Sequence, residues 1–321
     1  MDFTKKFNLG LTLETGYEEF ASFLETYHTY IHSFYFSPPV DRRLHTRTKV
    51  AQAFWLPGKK RQFWKMLALI KSYGIELELL FNTLQLDAEL IGKTAQQLAR
   101  NGVEVDSVCF LGDYYDAVRT YFPGKKYILS FNNGYQRKAQ IEQAIEAYDA
   151  EVFVLGSAFI RNNKIFAYLH EQGKQTYLLL NNGCSFNCGT CNNVLSVCEK
   201  SFQENLKHHS VEYLYALQSI FPHELRDGTI DPTHIQCFKI SNRSSNLKFL
   251  RGVLDSYITG RVDDYVRADT NNYAFWGRAG YFWKHFSKMD LQKIRQYKEQ
   301  ILHKDAGERL YAPDETKRET E

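Results

Sequence analysis

Short apolar runs alternate with amphipathic stretches along this chain, and the number of such units limits the fold more than any other feature. Eight runs read as strands: residues 7–13, 30–36, 75–81, 105–111, 127–131, 151–155, 175–180 and 234–240. Most are apolar nearly throughout, as strands covered on both faces are. Eight such strands, mostly separated by helices, are what a parallel (β/α)8 barrel of the TIM type requires. The barrel is expected over residues 1–260, followed by a C-terminal aromatic and helical extension, 261–321, whose polar end, 305–321, is expected to be disordered. Two doubly wound α/β units are the structural alternative.

The intervening stretches carry helix signals. Thr15-Gly-Tyr-Glu18 has the spacing of a capping box, in which hydroxyl and carboxylate each satisfy a free backbone donor. Phe20, Phe23, Leu24 and Tyr27 then fall on one helical face. Further helices are expected at 61–73, 87–100, 164–170 and 246–257, around Ile141 to Tyr148, and as an exposed helix at 290–303. A long polar connection, 40–60, holds Arg42, Arg43 and His45. The aromatic block of Tyr273, Phe275, Trp276, Tyr281, Phe282 and Trp283 is expected to form a subunit contact or seal a barrel mouth.

Charge narrows the function. Forty basic against 37 acidic side chains leave +3, too little for a protein whose affinity comes from neutralising many phosphates. No apolar run approaches the roughly 20 residues that span a bilayer, and the first residues lack a signal peptide's apolar core. A soluble, cytoplasmic protein without a membrane span is expected. Thiols there stay reduced, so clustered cysteines point to metal binding or catalysis.

Four of the six cysteines lie between 184 and 198. Cys184, Cys188 and Cys191 form a C-x3-C-x2-C run directly after the seventh strand, which brings three thiolates within reach of one centre. Soft thiolates select iron–sulfur clusters or zinc. Structural zinc sites favour pairs with two residues between members, a spacing only Cys188 and Cys191 meet, so a 4Fe-4S cluster ranks ahead of zinc. Cys198, folding back, and Cys237, on the neighbouring eighth strand, are both open as fourth ligand. Cys109, inside a strand, reads as a buried thiol.

Two family resemblances follow from these residues. The cysteine run and its lead-in, LLLNNG, resemble the signature of radical S-adenosylmethionine enzymes, which implies a 4Fe-4S cluster with S-adenosylmethionine as cofactor. The segment CFKISNRSSNLKFLRGVLDSYITG, 237–260, is similar to the Lys-Ile-Glu-Gly-Arg stretch and following helix of the collagenase-like (U32) peptidase family. The strand ends LGDYYDAV and SFNNGYQ and the strand EVFVLGS follow that family's order. The family includes iron–sulfur proteins for oxygen-independent hydroxylation of ubiquinone precursors and RNA bases. This resemblance implies Cys184, Cys188, Cys191 and Cys237 as cluster ligands, a small aromatic or nucleobase-type substrate, and a possible partner subunit of the same family. A cluster- or zinc-bearing subunit without its own activity is the non-enzymatic alternative.

Polar residues at the strand ends complete the expected site. Lys239 and Arg243 suit an anionic substrate, since arginine binds carboxylate or phosphate through two parallel hydrogen bonds. Asp113, beside Tyr114 and Tyr115, is a candidate for proton transfer, or else a helix cap. Asn132 and Asn181 offer neutral donors and acceptors to a substrate, and Arg42 a contact to its anion. Asp113, Lys239 and Arg243 are the catalytic candidates; Arg42, Tyr114, Asn132, Asn181 and Arg243 are those for substrate binding. No nucleophile–base order stands out that would support proteolysis.

Overall fold

The computed structural model describes residues 1–11, 16–44, 56, 58–83, 86–156, 159–181, 203–240, 247–262 and 289–303. Eight parallel strands close into a barrel in chain order: β1 (Phe7–Gly10), β2 (Ile31–Phe36), β3 (Glu76–Phe81), β4 (Ser107–Phe110), β5 (Lys126–Leu129), β6 (Val152–Leu155), β7 (Gln175–Leu179) and β8 (Cys237–Lys239). β8 pairs with both β7 and β1, so no sheet edge is left open. The expected (β/α)8 barrel is the fold, and the doubly wound alternative is excluded. Around it lie α1 (Tyr17–Tyr27), α2 (Lys59–Ser72), α3 (Ala88–Arg100), α4 (Tyr115–Tyr121), α5 (Lys138–Ala147), α6 (Asn163–Glu171), α7 (Val211–Gln218), α8 (Leu247–Thr259) and α9 (Leu291–His303).

Alternation within each strand makes two cores. Phe7, Leu9, Phe34, Leu77, Leu79, Phe110 and Phe153 point outward and meet the buried helix faces, such as Phe20, Phe23 and Leu24 of α1. The residues between them point inward, where Tyr35, Leu80, Cys109, Ile128, Val152, Val154, Tyr177, Leu179 and Cys237 form a separate apolar filling. The barrel is therefore packed, not a pore, as barrels of this size are.

Three local expectations are corrected. The first helix begins at Tyr17 with Gly16 as its N-cap and no side-chain cap, one residue later than the expected cap Thr15, which lies outside the described residues. The eighth strand is shorter than residues 234–240, because Pro232–His234 is a 3-10 turn that delays it to Cys237. Finally, the helix over 290–303 is not exposed. α9 packs on α7 with Ile294, Lys298 and Ile301 buried, positions four and three apart on one face. Residues 263–288 and 304–321, which hold the aromatic block and the polar end, lie outside the described residues. Among those described, no helix is long and apolar enough to cross a membrane.

Candidate functional site at the barrel mouth

A polar layer crosses the barrel interior where β8, β1, β2 and β3 meet. Asn8 faces Lys239 on one side and Ser33 on the other. The Asn8 amide Nδ2 donates to Ser33 Oγ at 2.6 Å and to Glu78 Oε2 at 2.8 Å. Lys239 Nζ donates to Asn8 Oδ1 at 2.6 Å and to Glu78 Oε1 at 2.7 Å. Burial opposes the ammonium, and the Glu78 carboxylate outweighs it, so Lys239 stays above its ordinary value. The Tyr35 ring lies 3.9 Å from Nζ, and its hydroxyl donates to the Ile240 carbonyl at 2.8 Å. Lys239 is 8% exposed. Its charge is thus matched inside the chain, and it is not an open cation for an anionic substrate.

Below this layer, toward the strand starts, β2 carries a bulge: Phe7 faces Ile31 while Asn8 faces Ser33, which leaves His32 as the extra residue. The bulge turns both His32 and Ser33 into the barrel. His32 Nε2 sits 2.9 Å from Tyr177 Oη and 3.5 Å from Glu76, and burial lowers its pKa. Glu76 also pairs with Lys126 at 3.2 Å.

Cys237 opens β8 opposite Tyr177, and its Sγ donates to the Lys6 carbonyl at 3.2 Å. Burial raises its pKa well above the ordinary thiol value. Asn181 stands four residues beyond Tyr177, about 13 Å along an extended strand, and between the two levels lie Lys239, Tyr35 and Leu179. Cys237 is therefore a buried interior thiol at the level of Tyr177, two residues before Lys239 on β8. Cys184, Cys188 and Cys191, beside which it is expected, lie outside the described residues, as do Cys198 and Arg243. Cys109 is a buried thiol as expected, pushed up to about 12 by burial. Among the described residues no cluster of three His, Cys, Asp or Glu is arranged to hold a metal.

At the C-terminal mouth, side chains tie one strand-end loop to the next. Tyr114 Oη donates to the Thr83 carbonyl at 2.7 Å, and Thr83 Oγ1 to the Arg43 carbonyl at 2.8 Å. Asn132 Nδ2 donates to the Asn82 carbonyl at 3.0 Å. Asn133 accepts from the Gly112 amide at 2.8 Å. Arg43 bridges Asp41 and Asp87. Asp113 is exposed within a 3-10 turn, Gly112–Tyr114, whose cap is Leu111, so Asp113 is not the cap of a following helix. Arg42 is exposed in the turn Arg42–Leu44. Asn181 is fully buried and bridges Ser219 antiparallel. The structure thus brings Tyr114, Asn132 and Asn133 together as a rim, and places Lys239 beneath it.

Sequence reasoning missed Glu78, Asn8, Ser33 and Tyr35. The only signal was Glu76-Leu-Glu78 inside an apolar run, whose spacing of two turns both carboxylates inward. It also missed Arg161, Glu224 and Lys298, a buried charge group outside the barrel. Two cavities lie away from the mouth. One of about 590 Å³ is lined by Phe221, His223, Arg261 and Lys298 among others, and one of about 430 Å³ by Lys125, Lys126 and Glu151 among others.

No protein-family model and no curated protein matches the chain. Among solved structures, a U32 peptidase is similar over 75% of this chain and 94% of its own, at 9% identity and a TM-score of 0.42. A muconate lactonizing enzyme from Mucobacterium smegmatis matches over 60% of this chain and 51% of its own, at 12% identity and a TM-score of 0.37. A racemase from Streptomyces coelicolor matches over 60% and 55%, at 9% identity and a TM-score of 0.37. No residue role follows from likeness at this level.

Proposed function

We propose that this chain is an iron–sulfur enzyme of the collagenase-like (U32) peptidase type, acting at the C-terminal mouth of its barrel. The reaction proposed is oxygen-independent hydroxylation, or a related modification, of a small anionic aromatic or nucleobase-type substrate in the cytoplasm. The observation that carries this reading is the run Cys184, Cys188 and Cys191, which begins three residues after Asn181 at the exit of β7. A 4Fe-4S cluster bound there would supply one-electron transfer at the face where barrel enzymes gather their reacting groups.

The chain's own residues have separable tasks. The packed interior excludes substrate from the barrel axis and leaves chemistry to the mouth. Tyr114, Asn132 and Asn133 hold three loops in fixed relation, which limits the shapes that enter. Asp113, exposed on that rim, is the proton-transfer candidate, and Arg243 the anion contact. With Cys237 facing Lys6, Cys198 becomes the preferred fourth ligand.

The test is anaerobic purification followed by iron and sulfide analysis and an absorption spectrum. The expected result is a broad cluster band that is lost in Cys184→Ala. Zinc alone, or iron unchanged in that variant, would overturn the reading. The C-x3-C-x2-C spacing favours a second reading, a radical S-adenosylmethionine enzyme. Reductive incubation with that cofactor separates the two, since only the second releases 5′-deoxyadenosine.

A further inference from the structure

The carbonyl of Ser219 receives two buried cations from distant parts of the chain. Arg161, between β6 and α6, donates Nη2 to it at 2.7 Å and Nη1 to the Leu217 carbonyl at 2.6 Å. Lys298, on α9, donates Nζ to the same Ser219 carbonyl and to the Ala216 carbonyl at 2.6 Å. Glu224 lies between them, fully buried. It accepts from Arg161 Nε at 2.5 Å, from Lys298 Nζ at 2.7 Å and from the Phe221 amide at 2.7 Å. The Lys298 ammonium thus finds an acceptor for each of its three protons.

Ser219 is also an extra rung on the barrel. Its backbone bridges Asn181 antiparallel, and the Ile220 amide donates to the Leu180 carbonyl at 2.8 Å. From the other side Tyr257 Oη donates to the Ile220 carbonyl at 2.5 Å. The exit of β7 is therefore held by a segment that is itself held by Arg161 and Lys298.

An apolar stripe alone would dock α9, and burying an ammonium there adds a desolvation cost. What the ammonium supplies is register, because only one setting of α9 meets both carbonyls and Glu224 together. We propose that Lys298 is a positioning residue: its ammonium, bonded to the Ser219 carbonyl, fixes Ser219, and through Ser219 the point at which the chain leaves β7. Its consequence for the cysteine segment rests on the iron–sulfur reading above.

The test is amide hydrogen exchange on the full chain, comparing wild type with Lys298→Met and with Ile294→Ala, which loosens α9 without touching the charge group. In Lys298→Met the Ile220 amide should exchange about tenfold faster or more, as loss of one charge-assisted hydrogen bond implies. Arg161 and Glu224 remain paired, so the variant is expected to fold; if it does not, Lys298→Gln takes its place. In Ile294→Ala the increase should stay within α9. Unchanged exchange at Ile220 in the Lys298 variant, or an equal rise there in Ile294→Ala, would overturn the proposal. Cluster absorption in the same samples should shift or fall in Lys298→Met, and an unaltered spectrum would overturn the link to the cysteines. Wild-type protein without iron would instead defeat the iron–sulfur reading and leave the exchange result to decide the role of Lys298.

Discussion

Glu78 and Lys239 each bury a charge inside the barrel, and each is tolerated because the other is 2.7 Å away. Removing one partner strands the other, so Glu78→Gln should destabilise the fold by about 3–5 kcal/mol, read by urea unfolding. Replacing both, by Glu78→Leu with Lys239→Met, should recover most of that loss. A double variant as unstable as the single one would show that the pair has a role beyond mutual neutralisation. The cysteines give a second prediction at this scale. Cys237→Ser keeps a donor for the Lys6 carbonyl and should leave iron content unchanged, whereas Cys198→Ser should lower it. Iron loss in Cys237→Ser alone would restore the fourth-ligand role implied by the family resemblance. The cysteine run was legible in the sequence because its members are close neighbours. The partnership of Lys239 with Glu78 was not, because 161 residues separate them and only barrel closure brings them together.

At the scale of elements, α9 shows why a helix face can be misread. Ile294, Tyr297, Lys298 and Ile301 recur at helical spacing, but a lysine in that stripe reads as solvent-facing until Glu224 and two carbonyls are seen beneath it. The charge group predicts a pH dependence. Burial alone would raise Glu224, but Arg161 and Lys298 hold it at about 2 against an ordinary 4.5. Its contribution is complete above 4.5 and lost as the pH falls toward 2, a difference of about 3 kcal/mol. Lys298 acts in the same direction at higher pH. Burial and Arg161 lower it from 10.5 to about 7, so the folded chain binds fewer protons across that range and stability rises with pH. Unfolding midpoints should fall on acidification from pH 4.5, and Glu224→Gln should flatten that slope. A second element-scale prediction concerns Gly156, at the end of β6. An added Cβ would meet the Phe131 ring at 2.8 Å and Leu179 at 3.1 Å. Gly156→Ala should therefore cost about 1–3 kcal/mol through overpacking, measured by the same unfolding series.

For the whole molecule, the barrel was readable because strand and helix periods alternate eight times and the strands carry apolar side chains toward both faces. What escaped was set by contacts between distant segments. The 3-10 turn at Pro232–His234 shortens β8, and the bulge at His32 turns one more polar side chain inward. Of the rim formed by Tyr114, Asn132 and Asn133, the sequence offered Tyr114 and Asn132 as substrate-binding candidates but not the hydrogen bonds that tie one strand-end loop to the next. The central claim, a cluster on the cysteines that follow β7, is tested most directly by Mössbauer spectroscopy of anaerobically purified, iron-enriched protein. The account predicts the signature of a 4Fe-4S cluster at close to one per chain, absent from Cys188→Ala. Protein that carries no iron, or iron retained with the same spectrum in that variant, would contradict it.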